Sequence, residues 1–287
     1  FMDISFNEDI SGWDVGNVTN MRFMFYDPSG NSIFNQPLNN WDTKKVTDMT
    51  SAFEGQKLFN QPLDNWNINN VTSISNIFKN SENFNNSFGD GSFNELIMLD
   101  SAFSGALSYN QDISGWLFPK VTNLSYLFDN AQNFNQYLNK WNIQNITSMA
   151  YMFQNAISFN QDISGWDVSG VSDMTNMFNG ATSFDSTYTN SWIANDDLSA
   201  VNIFQDGLLD ISNDNITYAV SNYNKFDVIY KYGEIGNWNT SLVTNMSGLF
   251  VNNSTFNENI SGWDVANVTD MATMFVNWPD DPSGAFN

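Results

Sequence analysis

The amino-acid sequence predicts a repeat solenoid of the α/β class, in which each repeat adds one short strand to a parallel β-sheet and one short helical turn. Three observations lead to this prediction. An aromatic–asparagine pair returns at an interval of 25 residues, the same apolar positions recur within each interval, and one interval is too small to fold alone.

The aromatic residue of the pair begins each repeat and is called position 1 below. Position 1 is Phe6, Phe34, Phe59, Phe84, Tyr109, Phe134, Phe159, Phe184 and Phe256, so the intervals are 28, six times 25, and then 72. Position 8 is Trp13, Trp41, Trp66, Trp116, Trp141, Trp166, Trp238 and Trp263. Position 20 is Phe25, Phe53, Phe78, Phe103, Phe128, Phe153, Phe178, Phe250 and Phe275. An interval kept six times in succession indicates an internal repeat.

Apolar residues recur at positions 1, 5, 8, 10, 13, 16, 19 and 20. Burying this set within a single repeat stabilises it by less than the ordering of its backbone and side chains costs. Neighbouring repeats must therefore share apolar surface and backbone hydrogen bonds, which is how solenoids are stabilised.

Two local elements are predicted within each repeat. The apolar spacing at positions 5, 8 and 10 matches that of a leucine-rich repeat and predicts a short strand centred on Trp-Asp-Val. Thr or Ser at position 14 stands where a helix N-cap belongs, and positions 16, 19 and 20 would share one face of a helical turn.

The domain prediction is a single solenoid over residues 1–287. Regular repeats cover 6–184 and 231–287, and a degenerate repeat or insertion lies at about 185–230. The start of the chain lacks the basic and apolar regions of a signal peptide, and neither terminus has a polar capping repeat. The sequence is interpreted as a fragment of a longer array.

Composition excludes several classes of function. The chain has no His and no Cys, so it has neither a Ser-His nor a Cys-His nucleophile and no thiolate zinc site. Nine basic residues against 31 acidic ones give a net charge of −22, which disfavours binding to a nucleic-acid backbone. No apolar run is long enough for membrane insertion. We therefore expect a protein that is not an enzyme and has no cofactor.

The consensus resembles the repeat of the BspA-like leucine-rich-repeat surface proteins of bacteria, protists and large viruses. It is clearest in residues 159–178, Phe-Asn-Gln-Asp-Ile-Ser-Gly-Trp-Asp-Val followed by Met-x-x-Met-Phe. The resemblance covers the chain except about 185–230. It implies a right-handed solenoid at a cell or virion surface, with a role in adhesion or protein binding, and it implies no catalytic residues.

The first candidate binding feature is position 9, between the inward Trp and Val of the predicted strand. Its acidic members are Asp14, Asp42, Asp167 and Asp264. Stacked about 4.8 Å apart, they would repel one another, and weak Ca²⁺ binding would relieve this repulsion. The alternative is a solvated polar row, because Asn67, Asn142 and Asn239 interrupt the acids and no dedicated calcium-loop motif is present.

Two further polar columns are interpreted as structural. Asn at position 2 would form an internal ladder in which side-chain amides satisfy backbone groups of the neighbouring repeat. The Thr column at position 14 could suggest ice binding, but an N-cap explains it better.

The second candidate feature is the set of exposed residues outside the repeat, because insertions in solenoids often bind partners. Tyr26 and Asp27 begin a connection three residues longer than standard, and Trp278 lies in a lengthened connection near the end. Tyr223 and Tyr230 belong to an aromatic segment of the degenerate stretch. The alternative is that these are loop tips and a repaired irregularity.

Two functions are consistent with these features. The first is an extracellular or surface-displayed scaffold for adhesion that binds a protein or glycan on another surface. The second is a structural subunit of a surface layer, fibre or virion coat that binds copies of itself through its ends. An enzyme would need converging carboxylates of unusual pKa, and no pair of Asp or Glu is set apart from the repeating pattern.

Overall fold

Equivalent residues of successive repeats lie next to one another in the computed structural model, which describes residues 5–89, 91–185, 188–189, 192, 211–224, 228, 232–233 and 235–276. These residues fall into two units, 1–206 and 207–287, and each unit is described by itself. The boundary lies within the stretch predicted to be degenerate. One solenoid over residues 1–287 stays a prediction.

Isolated parallel β-bridges connect repeats of the first unit at position 15. They run from Asn20 through Asp48 and Ser73 to Met98, and from Asn123 through Ser148 to Asp173. At positions 8 to 10, where the sequence predicted the strand, the described residues contain one bridge, Ser92–Leu117. The chain turns there instead, because the N–H at position 13 bonds to the carbonyl at position 10, as Val46 does to Thr43 at 2.9 Å.

Positions 16 to 23 form overlapping turns where the sequence predicted a helical turn. The residue at position 18 is left-handed, with φ of 54° at Ser51 and 59° at Tyr126, and an α-helix does not contain such a residue. Every second N–H is then free to bond to the next repeat. Met49, Ser51, Phe53 and Gly55 donate to the carbonyl oxygens of Ser73, Ser75, Ile77 and Lys79 at 2.7 to 2.9 Å. The α/β class as a whole stays a prediction.

The threonine column at position 14 forms a second ladder between repeats. The N–H and the hydroxyl of Thr72 both donate to the carbonyl oxygen of Thr47, at 2.7 and 2.9 Å. Thr147 repeats the arrangement on Thr122. The hydroxyl therefore stabilises the contact between repeats, in place of the predicted N-cap.

Phenyl rings at positions 1 and 20 form the centre of the first unit. The ring of Phe78 stacks on that of Phe84 with 3.8 Å between centroids. It also stacks on Phe53 and Phe103 of the adjacent repeats, at 5.5 and 5.6 Å. All four side chains are completely buried. These contacts explain why the aromatic positions recur so regularly.

Indole rings at position 8 form a column beside the phenyl rings. Trp41 stacks on Trp66 at 6.2 Å, and Nε1 of Trp66 donates to the carbonyl oxygen of Leu38 at 2.9 Å. Trp192, one place late in the sequence, still stacks on Trp166 at 6.2 Å. The indole column thus continues into the stretch predicted to be degenerate.

The second unit has its own apolar core. Helix α1, Ile216–Ser221, buries Ile216, Ala219 and Val220, and a 3-10 helix follows at Ile235–Asn237. Trp238 stacks on Trp263 at 5.9 Å in this core. Among the described residues, α1 is the α-helix for which both ends are given.

Candidate functional site

Asp27 organises the irregular connection over residues 26–33. Its Oδ1 accepts hydrogen bonds from the N–H and the hydroxyl of Ser29, at 2.9 and 2.5 Å, and its Oδ2 accepts the N–H of Ser32 at 2.6 Å. The side chain is only 6% exposed. The three extra residues therefore fold around a buried carboxylate and form a defined loop.

The pKa of Asp27 is lowered from its ordinary value. Burial is the largest single influence and would raise the pKa, but hydrogen bonds from the Ser29 side chain and from the Ser32 and Ser29 backbones together outweigh it. The carboxylate is consequently ionised at neutral pH and holds the loop in place.

This loop forms one wall of an open cavity of about 370 Å³, the charged cavity. Tyr26, Asp27, Glu54, Lys57 and Glu82 are among its lining residues. The ammonium group of Lys57 lies 2.8 Å from a carboxylate oxygen of Glu82. Three acidic side chains and one basic one thus surround a concave surface that the regular repeats do not repeat.

The backbone fixes this wall against the next repeat. The N–H of Asp27 donates to the carbonyl oxygen of Glu54 at 2.9 Å, and the Gln56 side-chain amide donates to the carbonyl of Phe25. The Tyr26 ring meets Phe23 edge-on at 5.3 Å. Tyr26 and Asp27, predicted from loop length alone, are therefore brought together in one cavity.

The acidic residues at position 9 are placed on the surface and stabilise turns. The Oδ1 atom of each accepts the backbone N–H of the residue two places later, at 3.0 to 3.2 Å. The donors are Gly16 for Asp14, Lys44 for Asp42, Ser169 for Asp167 and Ala266 for Asp264. Asn67, Asn142 and Asn239 make the same bond. An amide serves as well as a carboxylate, which explains why Asp and Asn alternate here.

Charge at this column is partly compensated. The ammonium group of Lys44 lies 2.7 Å from Asp42, and the pKa of that carboxyl is lowered chiefly by the hydrogen bonds from Lys44. Within the described ranges, no group of three or more Asp or Glu side chains is arranged to hold a metal ion. Weak Ca²⁺ binding at position 9 therefore stays a prediction from the sequence.

Tyr223 is half-buried against the core of the second unit. Its ring meets Phe256 edge-on at 5.3 Å, and its pKa is raised by burial and by the nearby Glu258 carboxylate. Tyr232 of the same segment is buried, and Tyr218 is exposed. Tyr230 and Trp278, also predicted to bind, lie outside the described residues.

A second cavity, of about 340 Å³, lies where the indole column is interrupted, and it was missed from the sequence. Gly91 stands at position 8 in place of tryptophan, and the cavity is lined by residues that include Phe88, Tyr109, Asp112 and Trp116. We call it the indole-gap cavity. A signal was present, because the one Tyr at position 1, Tyr109, begins the repeat that follows the one without its Trp.

These observations define a protein built of 25-residue repeats that bury aromatic columns and carry their irregular features on the surface. The model of a family described as "Mycoplasma protein of unknown function, DUF285" matches residues 1–116, 97–218 and 214–280, and the chain belongs to that family. The matched ranges continue through much of the stretch predicted to be degenerate. No curated protein and no solved structure matches.

In the part of the chain that the structure describes, no helix has the length and apolar character needed to cross a membrane.

Proposed function

We propose that this protein is a non-enzymatic, surface-displayed repeat scaffold that mediates adhesion by binding a protein or glycan partner at the charged cavity. The observation that carries the proposal is the loop fixed by Asp27, which forms a concave surface unlike the rest of the repeating exterior. Loops held by a rigid framework are the usual place for recognition in repeat proteins.

Charge supports a partner that presents a cationic group. Asp27, Glu54 and Glu82 line the charged cavity with one basic residue, Lys57, and the whole chain carries a charge of −22. Such a field attracts a Lys or Arg side chain or an amino sugar and repels an anion. Tyr26 adds an aromatic face of the kind enriched at binding hot spots.

Binding of the fluorescently labelled chain to cultured epithelial cells tests the proposal. We expect saturable binding that weakens with added salt and is reduced by Tyr26→Ala but not by Tyr137→Ala, which removes a 45% exposed tyrosine from another repeat. Protease or glycosidase treatment of the cells identifies the partner class. Absence of saturable binding, or equal loss with both variants, contradicts the proposal.

A structural subunit is the second candidate. In the last described repeat, Met271 and Phe275 are each 45% exposed, whereas Met49 and Phe53, at the same positions of an internal repeat, are completely buried. Another copy of the chain could cover such side chains. Sedimentation at increasing concentration tests this: polymers support it, and a monomer at every concentration contradicts it.

A further inference from the structure

We propose that a second copy of this chain docks on an uncharged edge of the first unit, so that two copies pair about a two-fold axis. This edge, the neutral edge, consists of positions 9, 12, 14 and 15 in the four repeats over residues 59–158. Its centre is the apolar patch, formed by Ile97, Met98 and Leu117. The inference depends neither on the charged cavity nor on contact through the last described repeat.

The apolar patch interrupts three columns that are polar elsewhere. In the regular repeats, position 9 is Asp, Asn or Ser except at Leu117, position 14 is Thr or Ser except at Ile97, and position 15 is Asp, Asn or Ser except at Met98. Leu117 is 61% exposed, Ile97 54% and Met98 48%. The three exceptions fall in two adjacent repeats and place exposed apolar surface in one region of the molecule.

The backbone brings these side chains to the same edge. Ser92 and Leu117, both at position 9, form a parallel bridge and therefore lie side by side in adjacent repeats. A hydrogen bond of 3.3 Å closes a turn over residues 93–96, and the ends of such a turn lie within about 7 Å of each other. Both end residues are completely buried, so the flanking Ser92 and Ile97 lie on the outside. Met98 follows Ile97 directly.

The fold does not require Ile97 or Met98. At position 14 a hydroxyl donates to the preceding repeat, as that of Thr72 does at 2.9 Å, and Ile97 has no hydroxyl. At position 15 a side-chain oxygen accepts the N–H two residues later, as that of Asn123 does at 2.8 Å, and Met98 has no oxygen. Both residues give up a hydrogen bond that other repeats make, and both add exposed apolar surface.

Leu117 loses no hydrogen bond, but the fold does not require a leucine there either. The polar side chain at position 9 elsewhere accepts the N–H at position 11, as Asn142 does from Gln144 at 3.1 Å. The residue at position 11 after Leu117 is Pro119, which has no N–H. A partner that covers the exposed leucine would explain why an apolar side chain stands in this column.

The neutral edge lacks the charge found on either side of it. Glu95 and Lys120 are its only charged residues, and their side chains form an ion pair of 2.6 Å. A chain with a net charge of −22 repels its own copy least where the surface is uncharged. The same positions carry acids in both flanking repeats, namely Asp42, Asp48, Asp167 and Asp173.

A second copy fits this edge better than other partners do. A cationic partner would be attracted to the acidic parts of the surface instead, and an anionic membrane would be repelled by the whole chain. A two-fold axis through the apolar patch covers the apolar side chains of both copies and lets Glu95 of each copy face Lys120 of the other. An apolar centre with an uncharged polar rim is also typical of protein interfaces.

The size of the neutral edge suits a weak dimer. Four repeats at about 4.8 Å each give it a length of about 19 Å, with the apolar patch in the two middle repeats. Permanent dimers bury larger and more apolar surfaces than this. We therefore expect reversible association.

Sedimentation equilibrium of the full chain, from about 5 µM to about 500 µM, tests the inference. We expect a monomer–dimer equilibrium without larger species. Leu117→Asn should weaken the dimer about a hundredfold, because a two-fold contact loses that side chain twice. Adding Ile97→Thr should abolish dimerisation. Both substitutions introduce the residue types of the other repeats, so thermal unfolding should show that the variants remain folded.

A matched control and a cross-linking experiment locate the contact. Ile157→Thr removes a 43% exposed isoleucine outside the neutral edge and should leave the dimer unchanged. The chain has no Cys, so a single one can be introduced. A short bis-maleimide should cross-link Leu117→Cys but not Ile157→Cys, because only a two-fold contact at the apolar patch brings residue 117 of two copies together.

Three results overturn the inference: a monomer at every concentration, dimerisation of the Leu117→Asn, Ile97→Thr variant equal to that of the unmodified chain, or no more cross-linking with Leu117→Cys than with Ile157→Cys. Polymers that persist in the double variant also overturn it and support contact through the last repeat instead. Added salt should strengthen the dimer by screening repulsion, whereas it should weaken the cell binding at the charged cavity. Failure of one proposal is therefore distinguishable from failure of the other.

Discussion

The carbonyl oxygen of Asp27 occupies the place where a Cβ atom on Gly55 would stand. Gly55 also has a φ of 80°, a left-handed conformation that other residues adopt at a cost. The irregular loop and the repeat beside it therefore fit together only because this residue has no side chain.

Replacing Gly55 with Ala should destabilise the first unit by about 3 kcal/mol. The Asp27 backbone must move away from the new Cβ, and Ala must adopt the strained left-handed φ. Native-state hydrogen exchange of the Gly55 amide, which bonds to Lys79 at 2.7 Å, measures the change. Gly248→Ala is the control, because Gly248 has a φ of 67° but its Cβ would approach no atom closer than 3.6 Å. Gly248→Ala should lower the free energy of unfolding by about 1 kcal/mol. Equal losses for the two variants would contradict a role for the contact between residue 55 and the Asp27 carbonyl.

Asp27 should make the stability of the first unit depend on pH in the acidic range. Its folded-state pKa is lowered, so its stabilisation is complete above the unfolded value of about 3.9 and is lost as pH falls through that value towards the folded one. Between about pH 5 and pH 3, the free energy of unfolding measured by urea denaturation should therefore fall less steeply for Asp27→Asn than for the unmodified chain.

At neutral pH, Asp27→Asn should lower the free energy of unfolding by about 2 kcal/mol. The carboxylate accepts hydrogen bonds on both of its oxygens, whereas the amide of Asn has a single acceptor oxygen. Asp167→Asn is the matched control: that carboxylate is exposed and its single backbone bond, to Ser169, suits an amide equally. An Asp27 variant with the pH profile of the unmodified chain would show that the loop does not depend on ionisation.

The two tryptophans Trp66 and Trp116 separate the hydrogen bond of the indole from its packing. Both are buried, but Nε1 of Trp66 bonds to Leu38, whereas that of Trp116 has no partner among the described residues. In urea denaturation, Trp66→Phe should therefore lower the free energy of unfolding by about 1 kcal/mol more than Trp116→Phe does. Equal losses would mean that the column is stabilised by stacking alone.

Asn85 should stabilise the contact with the next repeat through its side-chain oxygen. That atom accepts the N–H of Asn110 and the Gln111 amide, each at 2.9 Å. Asn85→Ala should cost about 1 kcal/mol, and Asn85→Asp should cost less because it keeps the acceptor. Thermal unfolding at neutral pH compares the two, and a larger loss with Asp would contradict the ladder as its cause.

The sequence identified the features that recur at one spacing. Apolar positions were predicted because burial depends on side-chain type, and the asparagine ladder at position 2 is confirmed from Asn35 on Asn7 through Asp185 on Asn160. The glutamine that follows at position 3 was missed, although Gln136 bonds to the same Asn110 that holds Asn135.

Backbone conformation was harder to predict. The left-handed residues at position 22 are either Gly or Asn, such as Gly55 and Asn80, and these types signal that conformation. Those at position 18 include Phe23, Ser51 and Tyr126, which do not. A helical turn was predicted there because the apolar spacing suits a helix, and no residue type revealed the overlapping turns.

The charged cavity and the indole-gap cavity also differ in how well the sequence predicted them. Tyr26 and Asp27 were identified because an insertion changes the length of a repeat, which a sequence records directly. The indole-gap cavity lies beside Gly91, which stands at position 8 in place of Trp, and beside Tyr109 at position 1. The sequence shows the loss of the Trp. It does not show the open space, because that depends on how Trp116 leans over Gly91 and packs against Phe93.

The hydrogen bonds between neighbouring repeats run in both directions. Met49, Ser51, Phe53 and Gly55 donate their amide protons to the following repeat, whereas the amide of Thr47 donates back to Thr19 of the preceding one. Each face of a repeat therefore presents donors at one set of positions and acceptors at another. A second copy of the chain that extends the stack would have to match both sets in register.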